Sequence, residues 1–353
     1  MIPTHIHIKP LERSFFQKLP YQNIAILTDE NTYQTCYPHL KPLLGSHWVV
    51  QIYSGEMYKN LKTCEYIWQQ LTDFQFDRKS LLINLGGGVI GDMGGFVAAT
   101  FKRGIDFMNI PTTLLAQVDA SVGGKLGIDF QGFKNHIGVF GEPKYVWVDT
   151  FFLQTLPLAQ FKSGFAELVK HCLIADKKMF EELSIVLPKL AAATSSEELY
   201  NLLDWQQLVR HSVEIKSKVV AEDPKEKGLR KILNFGHTVG HAIESYLLLH
   251  SKPILHGEAV AIGMICETWL SWQKGLLEKA DYQQIKGFLL HFFGHKDLPA
   301  TKFEEISKLA LQDKKNENQQ IQACLLQGIG QPVFGQPISR QEIVASLEAY
   351  QIK

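Results

Sequence analysis

The sequence lacks the long apolar runs and the excess charge that are typical of membrane and nucleic-acid-binding proteins. No run of about 18 apolar residues, the length that a membrane-spanning helix needs, occurs in it. The N-terminus also lacks the charged segment and apolar run of a signal peptide. Lys plus Arg and Asp plus Glu both total 36, so no net positive charge attracts nucleic acid or an anionic membrane. We therefore expect a cytoplasmic protein that binds neither nucleic acid nor membrane.

Paired cysteines are also missing. The chain has five cysteines, an odd number, and none of them forms a Cys-x-x-Cys pair. This pattern argues against a complete disulfide framework. We interpret the cysteines as reduced thiols of the core, at Cys36, Cys64, Cys172, Cys266 and Cys324.

What is present in the first half is an alternation of short apolar runs with helical periodicity. A chain of 353 residues exceeds the usual size of one core, so we expect two domains. Apolar and β-branched runs predict buried strands, and residues 60–72 repeat apolar positions at helical spacing. Such alternation favours a parallel sheet covered by helices. The predicted strands are residues 23–28, 48–53, 80–85 and 145–148.

The second half changes to long helical periods, which predict a mostly α-helical domain. We expect an α/β domain at residues 1–152 and a mostly α-helical domain at residues 153–353. Ser339 and Glu342 have the spacing of a capping box and predict the start of the last helix. The other predictions are helices at 164–175, 199–220, 237–249 and 257–274, polar loops at 193–196, 222–225 and 313–320, and a short strand at 321–326.

A glycine-rich turn follows the predicted strand at residues 80–85. Gly86, Gly87 and Gly88 precede an apolar helical segment that contains Asp92. Glycines at such a turn let backbone N–H groups approach a diphosphate, and the helix N-terminus favours negative charge. The turn therefore predicts a dinucleotide site, with tight packing as the alternative interpretation.

A second glycine cluster extends over residues 111–125 and combines Asp119, a Gly pair and Lys125. An aspartate supplies a general acid or base or a hydroxyl acceptor, and a lysine binds anions. Lys134 and Asn135 follow shortly after. The cluster predicts a substrate site, and a surface loop with ordinary lysines is the alternative.

Four side chains in the second half are candidate metal ligands: Glu167, His237, His241 and His256. Two histidines and one carboxylate are a common open metal site. His237 and His241 are four residues apart, so on a helix they share a face and could both bind metal. Alternatively, one of them binds metal and the other contacts the substrate.

Basic side chains recur among these motifs. In a chain without net charge they predict a pocket for a substrate with more than one anionic group. Placement on solvated faces is the alternative for several of them. The candidates are Arg103, Lys125, Lys134, Lys170, Lys216, Arg230, Lys314 and Lys315.

Taken in order, these motifs resemble those of the 3-dehydroquinate synthases, a family of the sugar phosphate cyclase superfamily. The resemblance covers nearly the whole chain and implies a Rossmann-like N-terminal domain that binds NAD, a mostly α-helical C-terminal domain, an active site in the cleft between them, and a homodimer. The matching segments are residues 55–56, 86–92, 111–125, 134–135, 164–170, 230–241, 256–258 and 313–315.

The resemblance also implies a role for individual residues. Glu167, His237 and His256 would bind a divalent metal, zinc or alternatively cobalt, and His241 would face the substrate. The implied catalytic residues are Asp119, His241, Lys125, Lys170, Arg230 and Asn234. The implied NAD contacts are Asp29, Glu56, Lys59, Gly87, Gly88, Asp92, Thr112, Thr113 and Thr155. Further implied substrate contacts are Arg103 reaching the partner subunit's site, Lys134, Asn135, Lys216, and Lys314 or Lys315.

The reaction that the resemblance implies is that of a carbon–oxygen lyase of aromatic amino-acid biosynthesis. The substrate, 3-deoxy-D-arabino-heptulosonate 7-phosphate, would become 3-dehydroquinate and phosphate through transient oxidation by NAD, phosphate elimination, reduction, ring opening and aldol closure. The alternatives are another sugar phosphate cyclase, a metal-dependent polyol dehydrogenase and an inactive nucleotide-binding protein.

Overall fold

The computed structural model describes residues 2–131, 133–312 and 320–352, which form two compact units. Unit 1 comprises Met1–Pro157 and Leu203–Ser217, and unit 2 comprises Leu158–Leu202 and Lys218–Lys353. The strands are β1 (Ile6–Ile8), β2 (Ile24–Asp29), β3 (Trp48–Ile52), β4 (Leu81–Gly86), β5 (Asp106–Pro111), β6 (Lys125–Phe130), β7 (Phe133–Phe140), β8 (Tyr145–Val148), β9 (Ile321–Gly328) and β10 (Gln331–Ile338). The helices are α1 (Arg13–Phe16), α2 (Glu30–Thr35), α3 (Tyr37–Leu40), α4 (Leu61–Asp73), α5 (Gly88–Thr100), α6 (Leu158–Ala175), α7 (Lys177–Ala192), α8 (Ser196–Tyr200), α9 (Trp205–Glu222), α10 (His237–Leu249), α11 (His256–Gln273), α12 (Lys279–Phe293), α13 (Phe303–Leu309) and α14 (Arg340–Gln351).

Unit 1 is built on a six-stranded parallel sheet with the order β1-β8-β5-β4-β2-β3. β2, β3, β4 and β8 lie where the apolar runs predict strands, so the expected Rossmann-like architecture is confirmed. The apolar pattern does not reveal β1, which has only three residues, or β5, which carries a buried Asn109. The Asn84 side chain of β4 donates a hydrogen bond to Asn109 Oδ1 at 2.9 Å, which pairs these two buried amides.

Both faces of this sheet are buried, because side chains alternate along each strand. In β2, Ala25 and Leu27 pack on the side of α4 and α5, while Ile24 and Ile26 pack on the opposite side with α1 and α3. This double coverage explains why the strands are continuous apolar runs rather than alternating ones. An antiparallel hairpin, β6 and β7, follows β5 in the chain.

Unit 2 is mainly helical, as predicted, with one antiparallel hairpin of β9 and β10. The prediction of a single helix over 199–220 is wrong, since α8 ends at Tyr200 and α9 begins at Trp205. The Asp204 side chain accepts a hydrogen bond from Gln207 N at 3.0 Å and so caps a new helix. β10 contains two prolines, Pro332 and Pro337, which are unusual inside strands, so the sequence pattern does not predict this strand.

Two predictions near the end of the chain have different outcomes. The capping box is confirmed, because Glu342 N donates to Ser339 Oγ at 3.2 Å and Ser339 N donates to the Glu342 carboxylate at 2.7 Å. The predicted loop at 313–320 lies almost entirely outside the described residues. Among the residues that are described, no helix is long and apolar enough to cross a membrane.

The packing of α5 on the sheet gives a matched pair of glycine substitutions. A Cβ on Gly94 would lie 2.0 Å from Asn84 Oδ1, whereas the nearest atom to a Cβ on Gly91 is 4.0 Å away. We expect Gly94→Ala to lower the free energy of unfolding by about 1–3 kcal/mol through overpacking. Gly91→Ala should be neutral or stabilise by up to about 1 kcal/mol, because alanine favours helices. Urea unfolding measures both, and equal effects would contradict the described contact.

Candidate functional site

A buried carboxylate and two imidazoles converge in unit 2. Glu167 on α6 has no exposed surface, and its Oε2 accepts a hydrogen bond from Lys170 one turn later. On the other side of the carboxylate, Oε1 lies 3.4 Å from Nε2 of His237 and 3.4 Å from Nε2 of His256. These three side chains, from α6, α10 and α11, bring one potential ligand atom each to within 4.8 Å of one another and could hold a metal ion.

The second nitrogen of each imidazole determines what the first presents to Glu167. His237 Nδ1 lies 3.0 Å from the Phe235 carbonyl, which can only accept, so Nδ1 carries the proton and Nε2 presents a lone pair. His256 Nδ1 faces the Glu244 carboxylate at 3.5 Å in the same way. Among the described residues, Glu167 Oε1 accepts no hydrogen bond of ordinary geometry. When both imidazoles are neutral, three electron-pair donors therefore point at one another, which fits a divalent cation.

The charges in this group are strongly coupled. Burial would raise the pKa of Glu167, but the Lys170 ammonium and His237 hold that pKa well below its usual range. Burial lowers the pKa of His237. Burial also opposes protonation of His256, yet the carboxylates of Glu167 and Glu244 raise its pKa to about 9.

Glycines allow the three helices to approach closely enough for this convergence. A Cβ on Gly257, next to His256, would lie 1.9 Å from the Ser163 carbonyl of α6. The N–H of Gly257 instead donates to Ser163 Oγ at 2.9 Å. A Cβ on Gly263 of α11 would lie 1.9 Å from the carbonyl of Gly236, directly before α10. The small residues of the histidine motifs thus serve close helix packing.

His241 lies one turn after His237 on α10, and the two ring centroids are 5.0 Å apart. It does not belong to the group around Glu167, but with Glu244 and His256 it forms a second, overlapping group of potential ligands. Glu244 is a residue that the sequence analysis does not single out. Its position three residues after His241 puts both on one helix face and could have indicated it.

Predicted anion-binding residues of unit 2 lie on or near a turn that precedes α10. Arg230 is buried and donates to the Pro224 carbonyl at 2.8 Å. Asn234 donates to the carboxylate of Glu226 at 2.7 Å, a second residue that the sequence analysis does not single out. The Asp223 carboxylate accepts backbone N–H groups of Gly228 and Arg230 and so shapes the turn. Lys314 and Lys315 lie outside the described residues.

In unit 1, the predicted dinucleotide residues meet at the carboxyl ends of β2 and β4. The chain leaves β2 toward β3 and leaves β4 toward β5, so these two strands flank a topological switch point, where α/β sheets bind ligands. Asp29 ends β2, and its carboxylate caps α2 by accepting Thr32 N at 2.8 Å. Gly87 follows β4 and is the N-cap residue of α5. Because glycine has no side chain to accept the first N–H groups of the helix, an anion can bind them.

This turn packs closely against the segment that follows β5. A Cβ on Gly87 would lie 3.0 Å from Thr113 Cγ2, and one on Gly88 would lie 3.4 Å from Ala120 Cβ. Thr112 N donates to the Gly86 carbonyl at 3.0 Å and anchors the adjacent segment. Side chains at these glycines would press against Thr113 and Ala120, so glycine also serves close packing at this turn.

A buried lysine links three predicted motifs of unit 1. Lys59 Nζ donates to Asp92 at 2.6 Å and to Asn135 Oδ1 at 2.7 Å. Burial lowers the pKa of Lys59, but the carboxylates of Asp92 and Glu56 outweigh burial and hold the pKa above its usual value. Predicted residues that are far apart in sequence therefore form one network.

Asp119 and Lys216 also meet in unit 1. Lys216 Nζ donates to the Asp119 carbonyl at 2.6 Å and to its carboxylate, at a single π-helical turn over Ala116–Ala120. Thr155 donates to the Phe152 carbonyl at 3.0 Å. The remaining predicted residues of this unit have exposed side chains, at Arg103, Lys125 and Lys134.

This fold is shared with solved structures of several enzymes. One is 2-deoxy-scyllo-inosose synthase complexed with carbaglucose-6-phosphate, NAD+ and Co2+, at 25% identity and a TM-score of 0.83 over 98% of this chain and 96% of that chain. Another is 2-epi-5-epi-valiolone synthase from Streptomyces hygroscopicus, at 24% identity and a TM-score of 0.85 over 99% and 97% of the two chains. A protein from Sinorhizobium meliloti that is described as a probable glycerol dehydrogenase is more distant, at 14% identity and a TM-score of 0.63 over 98% and 96% of the two chains. Fold and site together define an enzyme of the sugar phosphate cyclase class.

Sequence relatives identify the family within this class. The family model for the 3-dehydroquinate synthase N-terminal region matches residues 49–163, and the C-terminal model matches residues 164–316. The 3-dehydroquinate synthase of Parabacteroides distasonis is 40% identical over 96% of this chain and 94% of its own length. That of Campylobacter jejuni is 41% identical over 89% of both chains. The chain belongs to the 3-dehydroquinate synthase family.

The raised pKa of His256 predicts that binding of a divalent cation releases a proton. A ligating imidazole must be neutral, and below its pKa of about 9 His256 is protonated. Binding near pH 7 should therefore release close to one proton per ion, and the release should disappear as the pH rises past about 9. Glu167 and His237 should add little, since their pKa values are lowered.

Calorimetric titration with cobalt(II) in buffers of different ionisation enthalpy measures this proton release. Glu244→Gln is the matched variant, because it removes one of the two carboxylates that raise the His256 pKa. It should reduce proton release near pH 8. Identical binding enthalpies in all buffers would show that His256 does not release a proton when the metal binds.

Proposed function

We propose that the chain converts 3-deoxy-D-arabino-heptulosonate 7-phosphate to 3-dehydroquinate and phosphate. The observation that carries this proposal is the 40% identity, over 96% of the chain, with the 3-dehydroquinate synthase of Parabacteroides distasonis. Phosphate elimination makes the enzyme a carbon–oxygen lyase. The convergence of Glu167, His237 and His256 supports the same assignment, since it offers a metal site beside the predicted substrate residues of unit 2.

The proposed cofactors are NAD and one divalent metal ion, zinc or alternatively cobalt. The 2-deoxy-scyllo-inosose synthase at 25% identity contains NAD+ and Co2+, which supports both. Glu167, His237 and His256 would hold the metal. When bound, the metal polarises a substrate hydroxyl and NAD takes up and returns a hydride. The proposed NAD contacts are Asp29, Glu56, Lys59, Gly87, Gly88, Asp92, Thr112, Thr113 and Thr155.

In unit 2, the proposed task of Lys170, Arg230 and Asn234 is to bind anionic and hydroxyl groups of the substrate. Lys170 and Arg230 are buried, so their charges act with little screening by water. Both also have fixed protein partners, Glu167 and the Pro224 carbonyl, which hold the side chains in place before a substrate arrives. Such preorganisation lowers the entropic cost of binding.

Proton movement is proposed to involve Asp119 and His241. Lys216 contacts both the backbone carbonyl and the carboxylate of Asp119 and so holds this carboxylate in one orientation. Its proposed partner is a substrate hydroxyl. His241 is close to Glu244, whose carboxylate can orient the imidazole for proton transfer. Further proposed substrate contacts are Lys125, Lys134, Asn135, Lys216, Lys314 or Lys315, and Arg103 acting on the partner subunit of a homodimer.

Release of phosphate without net formation of NADH tests this proposal. Purified protein with NAD and cobalt(II) should release one phosphate per 3-dehydroquinate formed from the heptulosonate phosphate, while NADH absorbance stays flat. Removal of metal with a chelator should stop the release, and restored cobalt should recover it.

Other outcomes of the same assay identify the alternatives. Stoichiometric NADH from a polyol would indicate a dehydrogenase, as in the distant structural relatives. Phosphate release from a hexose phosphate but not from the heptulosonate would indicate a different cyclase. Inactivity toward every substrate, with NAD and metal bound, would indicate a nucleotide-binding protein.

A further inference from the structure

A second buried carboxylate, Glu267, lies behind the histidine motif. Glu267 is on α11 and has no exposed surface. Its Oε2 accepts a hydrogen bond from Gly236 N at 2.7 Å, and its Oε1 accepts one from Val239 N at 3.1 Å. These two residues flank His237, so one carboxylate holds the backbone on both sides of this histidine.

The backbone at this point needs an acceptor from elsewhere in the chain. The first N–H groups of a helix have no partner within the helix, and a polar side chain at the N-cap usually supplies one. The N-cap of α10 is Gly236, which has no side chain and a φ of +80°. Glu267 supplies the missing acceptor from α11, and its negative charge also suits the positive end of the α10 dipole.

A single peptide group connects Glu267 to the His237 ring. The N–H of the Phe235–Gly236 peptide donates to Glu267, and the carbonyl of the same peptide accepts from His237 Nδ1 at 3.0 Å. Hydrogen bonds in a chain polarise one another, so a carboxylate on the N–H makes the carbonyl a stronger acceptor. A stronger bond at Nδ1 fixes the ring and increases electron donation from Nε2, which faces Glu167 at 3.4 Å.

The two histidines of the site are supported reciprocally. His256, which begins α11, has Glu244 of α10 behind its Nδ1 at 3.5 Å. His237, which begins α10, has Glu267 of α11 behind it through one peptide group. Each helix thus provides a carboxylate for the histidine of the other helix.

We propose that Glu267 is a positioning residue for metal binding, which acts on His237 through the Phe235–Gly236 peptide. This inference rests on the proposed metal site of Glu167, His237 and His256. It predicts that loss of the Glu267 charge weakens metal binding even though Glu267 is not a ligand. A role limited to holding α10 in the fold would instead affect stability alone.

Comparison of Glu267→Gln with Thr268→Val separates these two roles. Thr268 is the next residue of α11 and is equally buried, and its hydroxyl donates within its own helix, to the Met264 carbonyl at 2.6 Å. Both substitutions remove a buried hydrogen bond, and both should lower the melting temperature. Only Glu267→Gln should weaken cobalt(II) binding, by about 10–100-fold, with an altered visible spectrum of the bound cobalt. Thr268→Val should bind cobalt within about twofold of the unsubstituted protein.

Several results would overturn the proposal. Glu267→Gln with unchanged cobalt affinity and spectrum would overturn it alone and leave the metal site intact. An equal loss of cobalt affinity in Thr268→Val would show that general destabilisation, and not the Glu267 contact, weakens metal binding. Failure of the unsubstituted protein to bind cobalt would overturn this proposal together with the metal site.

Hydrogen exchange of the unsubstituted protein provides a test that does not depend on folding of a variant. The Gly236 and Val239 amides should exchange as slowly as the centre of α10, because Glu267 accepts both and is buried. Rapid exchange of these two amides beside a protected α10 would contradict the described carboxylate contact, and the proposal would fall with it.

Discussion

The Glu167 carboxylate has no exposed surface, so groups packed around it must balance its charge. Removal of one partner from a buried ion pair is strongly destabilising, since the remaining charge stays without solvent. Lys170 contacts one oxygen from the next turn of α6, and His237 and His256 face the other from α10 and α11. The mutual placement of these three helices and the chemistry of the site therefore depend on the same buried charge.

Convergence of two imidazoles on one oxygen of Glu167 requires closely packed helices, and glycine makes this approach compatible with the backbone. Gly257 contacts α6 at the position after one histidine, and Gly263 contacts the backbone just before α10. The free N–H groups at a helix N-terminus are then bound by a side chain of the neighbouring helix rather than by an N-cap side chain. Glu267 of α11 accepts the N–H of Gly236 in this way. Helix packing, helix capping and the orientation of the proposed metal ligands all depend on the close packing of α6, α10 and α11. A substitution that alters one of them should therefore alter the others.

Sequence patterns predicted those features whose causes are local. The apolar run of β4 and the glycines after it predicted a strand and a turn before a helix, and helical periods predicted α10 and α11. Features that depend on distant partners were not accessible: the order of the strands, the buried Asn109 of β5, and Glu267, which looks like an ordinary acidic residue of α11 until α10 packs against it. Spacing alone also allowed His237 and His241 as joint ligands. The family resemblance separates them, and the three-dimensional arrangement puts His237 beside Glu167.

Parallel measurement of bound metal and phosphate release in His237→Ala and His241→Ala tests the central claim, which assigns one histidine to the metal and the other to the substrate. His237→Ala should lose both bound metal and turnover, because it removes an electron-pair donor that faces Glu167. His241→Ala should retain metal and lose most turnover, by about 100-fold or more, as expected for a group that transfers protons. Retention of metal and activity in His237→Ala, or loss of metal in His241→Ala alone, would contradict this division of roles.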